Sequence, residues 1–539
     1  MTSDAVAYRL RVDLRRDETY APDDPDADLT PYVVALRWNV GMASSFDDVA
    51  APAELNVTLA NGGDFDPERP DARYFGRLHP GALVRLEAEW QGNVKPLFIG
   101  RLKRLAVAPE ACGARFATLL AQDILLELLD AEYTPPLMLD ARVDQALLPL
   151  FEQPLVPWPY AARYWLLGVT GSAELGTTTR LYRNDITAFE QARTTLAYAG
   201  DHLDRGAGVS AQGAIRDFVA AEAGGRFFWD APEGRFAFHS RAHDVLDETI
   251  SGEFDGSEFI AGETVYAVAD TLVNALTVNY TPRQVGADGS VLWSHPGLPL
   301  RLAPGAGKTL LVRYHDPDNP ATSVAALNVI PPVRGLDVTA TETASGAINR
   351  DDAVRVYART FADRAEITVA NDDPINDIYV QTLRLRGTPL IALPAGQARA
   401  TDAASIATHE RHEPQPLFLR AVDDAEFAGQ IARFTVNRFK DPVARFARVS
   451  FMANESETLL AHALERRTGD KIRIANARLA HDADYVIVGQ RHTVRAGGDA
   501  PHHVTWVLAP LSRTTYWRVS DGTQWAGYSR LDVSARLML

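Results

Sequence analysis

The stretch that decides the fold runs from Gly81 to Asp123, and its sequence is GALVRLEAEWQGNVKPLFIGRLKRLAVAPEACGARFATLLAQD. Apolar and charged residues alternate at its start, which is the period-2 pattern of a half-buried strand. Glycine-containing turn sequences interrupt the pattern further along. The stretch therefore predicts four strands, at Val84–Trp90, Pro96–Leu102, Leu105–Pro109 and Arg115–Ala121.

A similar order of turn, amphipathic strand and apolar strand returns at Gly469–Leu508. In both copies a glycine ends the apolar strand, at Gly100 and at Gly489, and a further strand follows at the same interval. Residue identity between the copies is low, and any two β-meanders share some of this order. We interpret the similarity as an internal repeat. The predicted fold class is mainly β with a few short helices, comprising two related small β-barrels at the chain ends and an inserted β-sandwich domain.

The composition is that of a globular protein: 46% of the 539 residues are apolar and 23% are charged. This length suits about three to five domains. No apolar run is long enough for a membrane-spanning helix, and the N-terminus lacks the apolar segment of a secretory signal, so we expect neither. The single cysteine, Cys112, excludes an internal disulfide framework. The net charge of −16 disfavours stable binding to nucleic acid, but it suits a surface that DNA passes without binding.

Strand, helix and turn patterns divide the chain into six segments. The predicted order is an N-terminal β-barrel domain with an arm (1–133), an irregular and partly helical insertion (134–211), a helix and β-hairpin domain (212–284), the β-sandwich domain (285–424), the second β-barrel domain (425–511) and a C-terminal docking arm (512–539).

Two short sequences are close to known motifs but lack their spacing. Pro304–Thr309 ends in Gly-Lys-Thr, but the phosphate-loop pattern requires a glycine at the position of Leu302. His409–Glu413 holds two histidines three positions apart, whereas the zinc-protease helix needs them four apart, and Pro414 follows at once. We therefore predict a plain turn for the first sequence and a polar linker for the second.

The loop Asn371–Asp377 is rich in side-chain oxygens, the ligands that calcium prefers. Because Asn, Asp and Pro are also the ordinary residues of turns and the EF-hand spacing is absent, a turn and an ion site both remain open here. Elsewhere no recognisable catalytic constellation appears, although a pair of glycosidase carboxylates would not be visible at this level. The sequence predicts no catalytic, cofactor-binding or metal-binding residues, no cofactor and no enzymatic activity.

The C-terminal stretch carries three aromatic residues with no obvious partner strand. They are Trp517, Trp525 and Tyr528. An aromatic segment of this kind is more stable docked on a neighbouring surface than exposed to water. We predict these three side chains as partner contacts.

Four motifs, taken in their order along the chain, resemble those of bacteriophage tail hub or minor tail proteins. They are a strand with an Asn-Gly-Gly turn and a Phe-Asp-Pro run at Ala53–Pro67, a Pro-Gly turn followed by Leu-Phe-Ile-Gly at Leu78–Arg101, a helix followed by a Gly-Arg-Phe-Ala-Phe hairpin at Gly213–Phe238, and a closing barrel at Thr468–Pro510. Each motif alone is weakly specific. Segments 134–205 and 285–395 match less well.

The resemblance implies a structural protein of the virion, located at the tail tip or baseplate and made in the host cytoplasm. It implies a homotrimer whose six small barrels form a pseudo-sixfold ring around the DNA channel. Such a ring would join the sixfold tail tube to threefold tip proteins, with the tube, distal tail and tip or fibre proteins as partners, and genomic DNA would pass without stable binding. Two barrels per chain offer six similar edges to a sixfold neighbour.

Two other functions remain open at this stage. The first is a receptor-binding or glycan-binding minor tail protein, in which residues 285–395 form the binding module. Tyr314 and Tyr379 would then be candidate glycan contacts, although they fit a sandwich core equally well. The second is a tail-associated cell-wall hydrolase. A related injection or gene-transfer particle has the same sequence features as a phage tail.

Overall fold

The computed structural model describes residues 6–16, 24–45, 47–107, 115–151, 186–201, 209–246, 249–268, 272–495, 501–511, 516–517 and 536–537. The strands, in chain order, are β1 (Ala7–Val12), β2 (Val33–Gly41), β3 (Glu54–Ala60), β4 (Leu83–Trp90), β5 (Asn93–Val107), β6 (Phe116–Asp123), β7 (Glu132–Tyr133), β8 (Met138–Arg142), β9 (Thr187–Phe189), β10 (Thr195–Ala199), β11 (Val209–Ser210), β12 (Arg226–Asp230), β13 (Arg235–His239), β14 (Ile250–Phe254), β15 (Val265–Val268), β16 (Ala275–Tyr280), β17 (Arg283–Val285), β18 (Ser290–Ser294), β19 (Leu300–Leu302), β20 (Gly307–Arg313), β21 (Ala325–Ile330), β22 (Val338–Thr341), β23 (Val354–Thr360), β24 (Arg364–Asn371), β25 (Ile378–Ala392), β26 (Gly396–Thr401), β27 (Leu417–Leu419), β28 (Ala444–Met452), β29 (Lys471–Asn476), β30 (His481–Arg495), β31 (His502–Pro510), β32 (Tyr516–Trp517) and β33 (Arg536–Leu537).

The helices of the described residues are short. They are α1 (Leu125–Asp130), α2 (Val143–Leu147), α3 (Ala211–Ala221), α4 (His243–Leu246), α5 (Ala403–His409), α6 (Ala425–Phe439) and α7 (Glu457–Glu465). None of them is long and apolar enough to cross a membrane. The chain is therefore mainly β with a few short helices, as predicted.

A sheet of twelve strands connects the two ends of the chain. Its first half has the strand order β1-β4-β5-β6-β3-β2, and its second half has the order β14-β29-β30-β31-β28-β15. We call these halves unit 1 and unit 2. In chain order, the six strands of each unit take the same positions in the sheet. The two units differ in their first strand, since β1 pairs antiparallel with β4 whereas β14 pairs parallel with β29.

The strands of unit 2 are not continuous in the sequence. β14 and β15 lie at 250–268, and β28 follows only at Ala444. Residues 272–443 are thus inserted between two strands that pair with each other. The predicted domain bounds themselves stay predictions, but the repeat extends over more of the chain than the stretch Gly469–Leu508 showed.

One strand prediction is wrong. The strands expected at Pro96–Leu102 and Leu105–Pro109 form the single strand β5, which is 15 residues long. Lys103 and Arg104 carry no turn-forming side chain, so the chain accommodates the irregularity as a bulge between Leu102 and Arg104. β30, the fifth strand of unit 2, has the same length.

Both faces of the twelve-stranded sheet are buried. In β30, Ile487 packs into one apolar core while Val486 and Val488 pack into another. Phe98 and Ile99 of β5 divide in the same way. The core that contains Ile487 and Phe98 lies between the two units. The core that contains Val486, Val488 and Ile99 is formed with the helices and hairpin that cover the other face. The alternation of β-strand side chains thus gives one sheet two cores.

The predicted helix and hairpin cover this second face. Ser210 caps α3 by accepting a hydrogen bond from the Gly213 amide, and Ile215 and Phe218 are fully buried on its apolar side. The helix ends at Ala221, and the chain then turns through Gly224, whose φ of +114° suits glycine. The hairpin β12–β13 follows, and β9 joins it in parallel.

The insertion contains the predicted β-sandwich. A sheet centred on the long strand β25 faces the three-stranded sheet β20-β24-β23, and both contribute to one apolar core. Tyr314 belongs to this core with none of its surface exposed, so its proposed glycan-contact role is wrong. Tyr379 is half-buried in β25. β26 and β27 pair with β16 outside the sandwich.

Candidate assembly interface

The two units meet where β2 pairs antiparallel with the second half of β30. The register runs from Ala35 opposite Arg495 to Gly41 opposite Gly489. β29 occupies the same side of β30 over its first half, from His481 to Val486. The long strand β30 therefore holds its own unit's fourth strand and the other unit's second strand side by side. We call the β2–β30 pairing the seam.

Close backbone contact at the seam requires glycine. A Cβ on Gly489 would lie 1.9 Å from the carbonyl oxygen of Met42. On the facing strand, Gly41 has a φ of +78°, and the Met42 amide donates to the Val488 carbonyl over 2.8 Å. Gly100 of unit 1 is equally confined, because its Cβ would lie 2.1 Å from the carbonyl of Gln122. The glycines that the sequence matched thus share a physical role, which is space for a neighbouring backbone.

A chain of buried polar side chains crosses the seam. His492 Nδ1 lies 3.0 Å from His502 Nε2, and His502 Nδ1 lies 2.7 Å from the Tyr8 hydroxyl. At the other end, His492 Nε2 lies 3.0 Å from Gln490 Oε1. Tyr8 belongs to unit 1 and the other three residues to unit 2, so the chain of hydrogen bonds connects the two units.

The direction of these hydrogen bonds follows from the Gln490 amide. Its Nε2 donates to the carbonyl of Arg466 over 2.8 Å, so its Oε1 accepts from His492. His492 therefore carries its proton on Nε2 and accepts at Nδ1 from His502. His502 in turn accepts at Nδ1 from the Tyr8 hydroxyl. In this arrangement each imidazole is neutral, and a second proton on His492 would face the N–H of His502.

Burial reinforces the neutral state of both imidazoles. It lowers the pKa of His492 well below its usual value, and it lowers the pKa of His502 to about 3. Burial also raises the pKa of Tyr8. The sequence analysis did not single out these residues. Both histidines lie within the predicted closing barrel, but their hydrogen-bond partners are visible only in the structure.

Each unit's fifth strand extends beyond its fourth. β4 pairs with β5 only from Asn93 to Arg101, leaving Lys103–Val107 with no partner strand on that side among the described residues. The corresponding half of β30 is the part occupied by β2. The segment Lys103–Val107 is thus an open edge in the position where unit 2 has the seam.

The second open edge belongs to β15. β2 of unit 1 pairs with β3 on one side and with β30 on the other. β15 holds the corresponding place in unit 2 and pairs with β28 alone within the described part of the chain. Its first residue, Val265, is 41% exposed. The edges at β15 and at Lys103–Val107 therefore hold the positions in their units that β2 and the second half of β30 hold in the seam.

The sites considered from the sequence have the following positions. Pro304 and Gly305 form a turn, and the Gly-Lys-Thr residues that follow begin strand β20 rather than a helix. In the loop Asn371–Asp377, Asp373 binds the Arg350 guanidinium and accepts from the amides of Ile375 and Asn376. Protein donors thus already satisfy the oxygens of Asp373 that would face an ion.

In the predicted linker His409–Glu413, His412 also forms hydrogen bonds with other groups of the protein. His412 Nε2 lies 2.9 Å from the carbonyl of His409, and the amide of His412 donates to Asn274. In the C-terminal arm, Trp517 lies in β32, which pairs in parallel with β33. Trp525 and Tyr528 lie outside the described residues. The prediction of these three aromatics as partner contacts stays a prediction.

No family model and no curated protein matches the chain. Among solved structures, the chain is similar to the tail protein from Neisseria meningitidis MC58, at 9% identity with a TM-score of 0.44, covering 93% of this chain and 97% of that one. It is also similar to the 43 kDa tail protein of prophage MuSo2 from Shewanella oneidensis, at 8% identity with a TM-score of 0.44, covering 93% and 98%.

A third similar structure comes from a secretion system. The E. coli c3393 protein, described as a component of the type VI secretion system, has 8% identity and a TM-score of 0.32, covering 89% of this chain and 74% of that one. The similar structures are thus phage tail proteins and components of a related secretion apparatus. At these identities and scores the similarity does not assign a function.

Proposed function

We propose that this chain is a structural hub protein of a phage-type tail, assembling as a trimer into a ring of six units. The observation that carries the proposal is the seam between two units with the same strand order in one chain. A chain that already joins two units edge to edge needs only to repeat that contact to build a ring.

The open edges supply the repeated contact. In the seam, the second strand of unit 1 pairs with the extended fifth strand of unit 2. By the same rule, β15 of one chain would pair with Lys103–Val107 of the next. Backbone hydrogen bonds form such a pairing whatever the side chains, so it tolerates the low residue identity between the units.

The ring has six units but only threefold exact symmetry. One face can therefore bind a sixfold tail tube, while the differences between the units, chiefly the insertion in unit 2, suit threefold tip or fibre proteins on the other. The C-terminal arm, with Trp517, Trp525 and Tyr528, would contact one of these neighbours. The protein would accordingly lie at the tail tip of the virion, after synthesis in the host cytoplasm.

The ring would surround the channel for genomic DNA. The chain's net charge of −16 favours passage of DNA without stable binding, because like charges repel. No part of this role requires catalysis, so we propose that the protein is not an enzyme.

Light scattering at low and high salt tests the proposal directly. A mass near three times 59.0 kDa, together with a ring in electron-microscopy class averages, is the expected result. Backbone pairing is only weakly sensitive to salt, so the mass should persist at high ionic strength. A dimer at every concentration, or class averages of assembled tails that hold one or two copies, would contradict the ring.

A further inference from the structure

Three side chains of the types that bind metal ions meet where the hairpin β12–β13, together with β9 and α4, contacts unit 2. Glu190 directly follows β9, His239 is the last residue of β13, and His243 is the first residue of α4. β9 and β13 pair in parallel with Phe189 opposite Phe238, so the next residues, Glu190 and His239, leave the sheet side by side. The return into α4 then brings His243 onto the same point.

The side chains converge closely. Glu190 Oε1 lies 2.5 Å from His243 Nδ1, and the rings of His239 and His243 stack with centroids 3.8 Å apart. The three residues offer ligand atoms that all lie within 4.8 Å of one another. Around one tetrahedral zinc ion, ligand atoms stand about 3.4 Å apart. The spacing is therefore suitable, and rotation of one of the two stacked rings would direct both imidazole lone pairs at one ion.

The hydrogen bonds of His243 require a proton or a metal ion between its Nδ1 and Glu190 Oε1. The carbonyl of Gly469 is 3.4 Å from His243 Nε2, which places a proton on that nitrogen. Nδ1 of a neutral ring then directs a lone pair at the carboxylate oxygen, and two lone pairs repel at this distance. At 2.5 Å a proton occupies this position, and a metal ion would replace the proton once the two atoms separate to about 3.4 Å. A carbonyl at the far nitrogen is also the usual support of a metal-bound histidine.

His239 provides the second indication. Its Nδ1 is buried and has no hydrogen-bond partner. Leaving a buried acceptor or donor unpaired is costly, and a bound metal ion is one way to satisfy it. The other Glu190 oxygen, Oε2, accepts from the Ser240 amide over 2.9 Å, which fixes the carboxylate and leaves Oε1 for a ligand.

We propose that Glu190, His239 and His243 form a three-ligand site for a divalent transition metal, with zinc as the ion that two imidazoles and one carboxylate bind well. Three cations lie near the site, and each approaches an oxygen of the protein. Lys471 Nζ donates to the backbone carbonyl of His243 over 3.3 Å. Arg226 is paired with Asp244 at 3.0 Å, and Arg438 approaches the same carboxylate at 3.8 Å. The remaining coordination position would be taken by water.

The site would hold the ends of β9 and β13 against α4. Gly469, which precedes β29 of unit 2, has a φ of +101°, and a Cβ there would lie 2.3 Å from His239 Cε1. The turn of unit 2 thus passes directly over the site. A metal ion would fix these three elements in the arrangement on which that turn packs.

The test is zinc binding by the full-length chain. The protein is stripped with chelator, incubated with zinc chloride, desalted and analysed for metal by mass spectrometry, and its thermal midpoint is measured with and without zinc. One zinc per chain and a rise of roughly 5 °C are expected for a tightly bound ion. His239→Ala and His243→Ala should lose both effects, whereas His409→Ala, at the end of α5 and outside the cluster, should keep them.

Folding of each variant is checked by circular dichroism and gel filtration. Should a histidine variant fail to fold, Glu190→Gln and the visible absorption of the cobalt-loaded wild-type chain decide the question instead. Visible cobalt bands that Glu190→Gln abolishes support the site. Substoichiometric zinc in the wild type, no cobalt bands, or equal zinc in His239→Ala would overturn it.

Discussion

Trp38 of β2 lies flat against His492 of β30, with ring centroids 4.5 Å apart and planes 3° from parallel. The contact joins unit 1 to unit 2, and both residues are 2% exposed. An apolar ring on one side and the hydrogen-bond chain through His502 on the other hold His492 neutral. The seam is therefore sensitive to any change that charges this imidazole.

Acidification should weaken the seam. The pKa values of His492 and His502 are depressed in the folded chain. Below pH ~6.5 the unfolded chain therefore binds more protons than the folded chain, and the free energy of unfolding decreases as the pH is lowered. We expect a loss of about 2 kcal/mol per histidine between pH 7 and pH 5 in the free energy of unfolding. Urea titrations at each pH measure it.

Paired substitutions isolate this effect. His492→Gln with His502→Gln should lower stability at pH 7 but flatten its pH dependence, since the titrating groups are gone. His409→Gln, at the end of α5 and outside the seam, should leave the pH dependence unchanged. An unchanged slope in the double variant would show that other groups cause the acid sensitivity.

Gly489→Ala should open the seam. The added methyl would overlap the Met42 carbonyl, which is backbone and cannot rotate away. We expect a loss of more than ~2 kcal/mol, the range of strained core positions, seen as a lower thermal midpoint. Gly62→Ala is the matched control, because nothing lies within 4 Å of its Cβ position and its φ is not positive. Equal midpoints for the two variants would argue against close packing at Gly489.

Engineered disulfides should trap the contact between chains. In a Cys112→Ser background, Ala267→Cys on β15 and Ala106→Cys on β5 lie on the two open edges. Antiparallel neighbours have Cα atoms about 4.5–5.5 Å apart, within disulfide range. Oxidation is expected to give a covalent trimer on non-reducing gels. A variant with the second cysteine at Leu105 instead of Ala106 tests which residue of β5 faces Ala267 of the neighbouring chain.

The crosslink has a matched control. Ala267→Cys combined with Ala344→Cys, in an exposed loop of the sandwich, presents the same thiols without facing strand edges. It should stay monomeric on the gel. Trimers of equal yield in both combinations would mean that random collisions form the bonds.

Removing Asp337 should unfold the sandwich without dissolving the trimer. This carboxylate is fully buried and accepts hydrogen bonds from Arg384 and Arg386 at 3.0 and 2.7 Å. Asp337→Asn leaves two arginines without their counter-charge, at a cost of about 3–5 kcal/mol. Proteolysis should then cut within 283–392 first, while Asp318→Asn, at an exposed turn, should cut no faster than wild type. Dissociation to monomers would show that the sandwich contributes to assembly.

Local periodicity was enough to predict most individual elements. The hairpin β12–β13 and helices α3 and α6 all depend on contacts between nearby residues, whereas the match of Gly100 with Gly489 was visible from the repeated sequence order alone. The continuous strand β5 was missed because a bulge at Lys103 and Arg104 interrupts the alternation in the same way as a turn does.

Long-range pairing was not predictable in the same way. The repeat was visible only where its strands are consecutive, because residues 272–443 separate β15 from β28. The seam residues escaped notice for a related reason. Trp38 and His492 are far apart in the sequence, and the hydrogen bonds that make the histidines neutral join strands whose register only the structure provides.

The discontinuity of unit 2 also sets the order in which the chain can fold on the ribosome. Unit 1 is complete once β6 has been made, but the strand that covers the edge of β2 is β30, near the other end of the chain. Throughout synthesis of the insertion, that edge remains a template for pairing with any other nascent chain, which is a known route to aggregation. Correct folding therefore requires that the edge of β2 stays unpaired until β30 has been made, while the sandwich folds in the meantime.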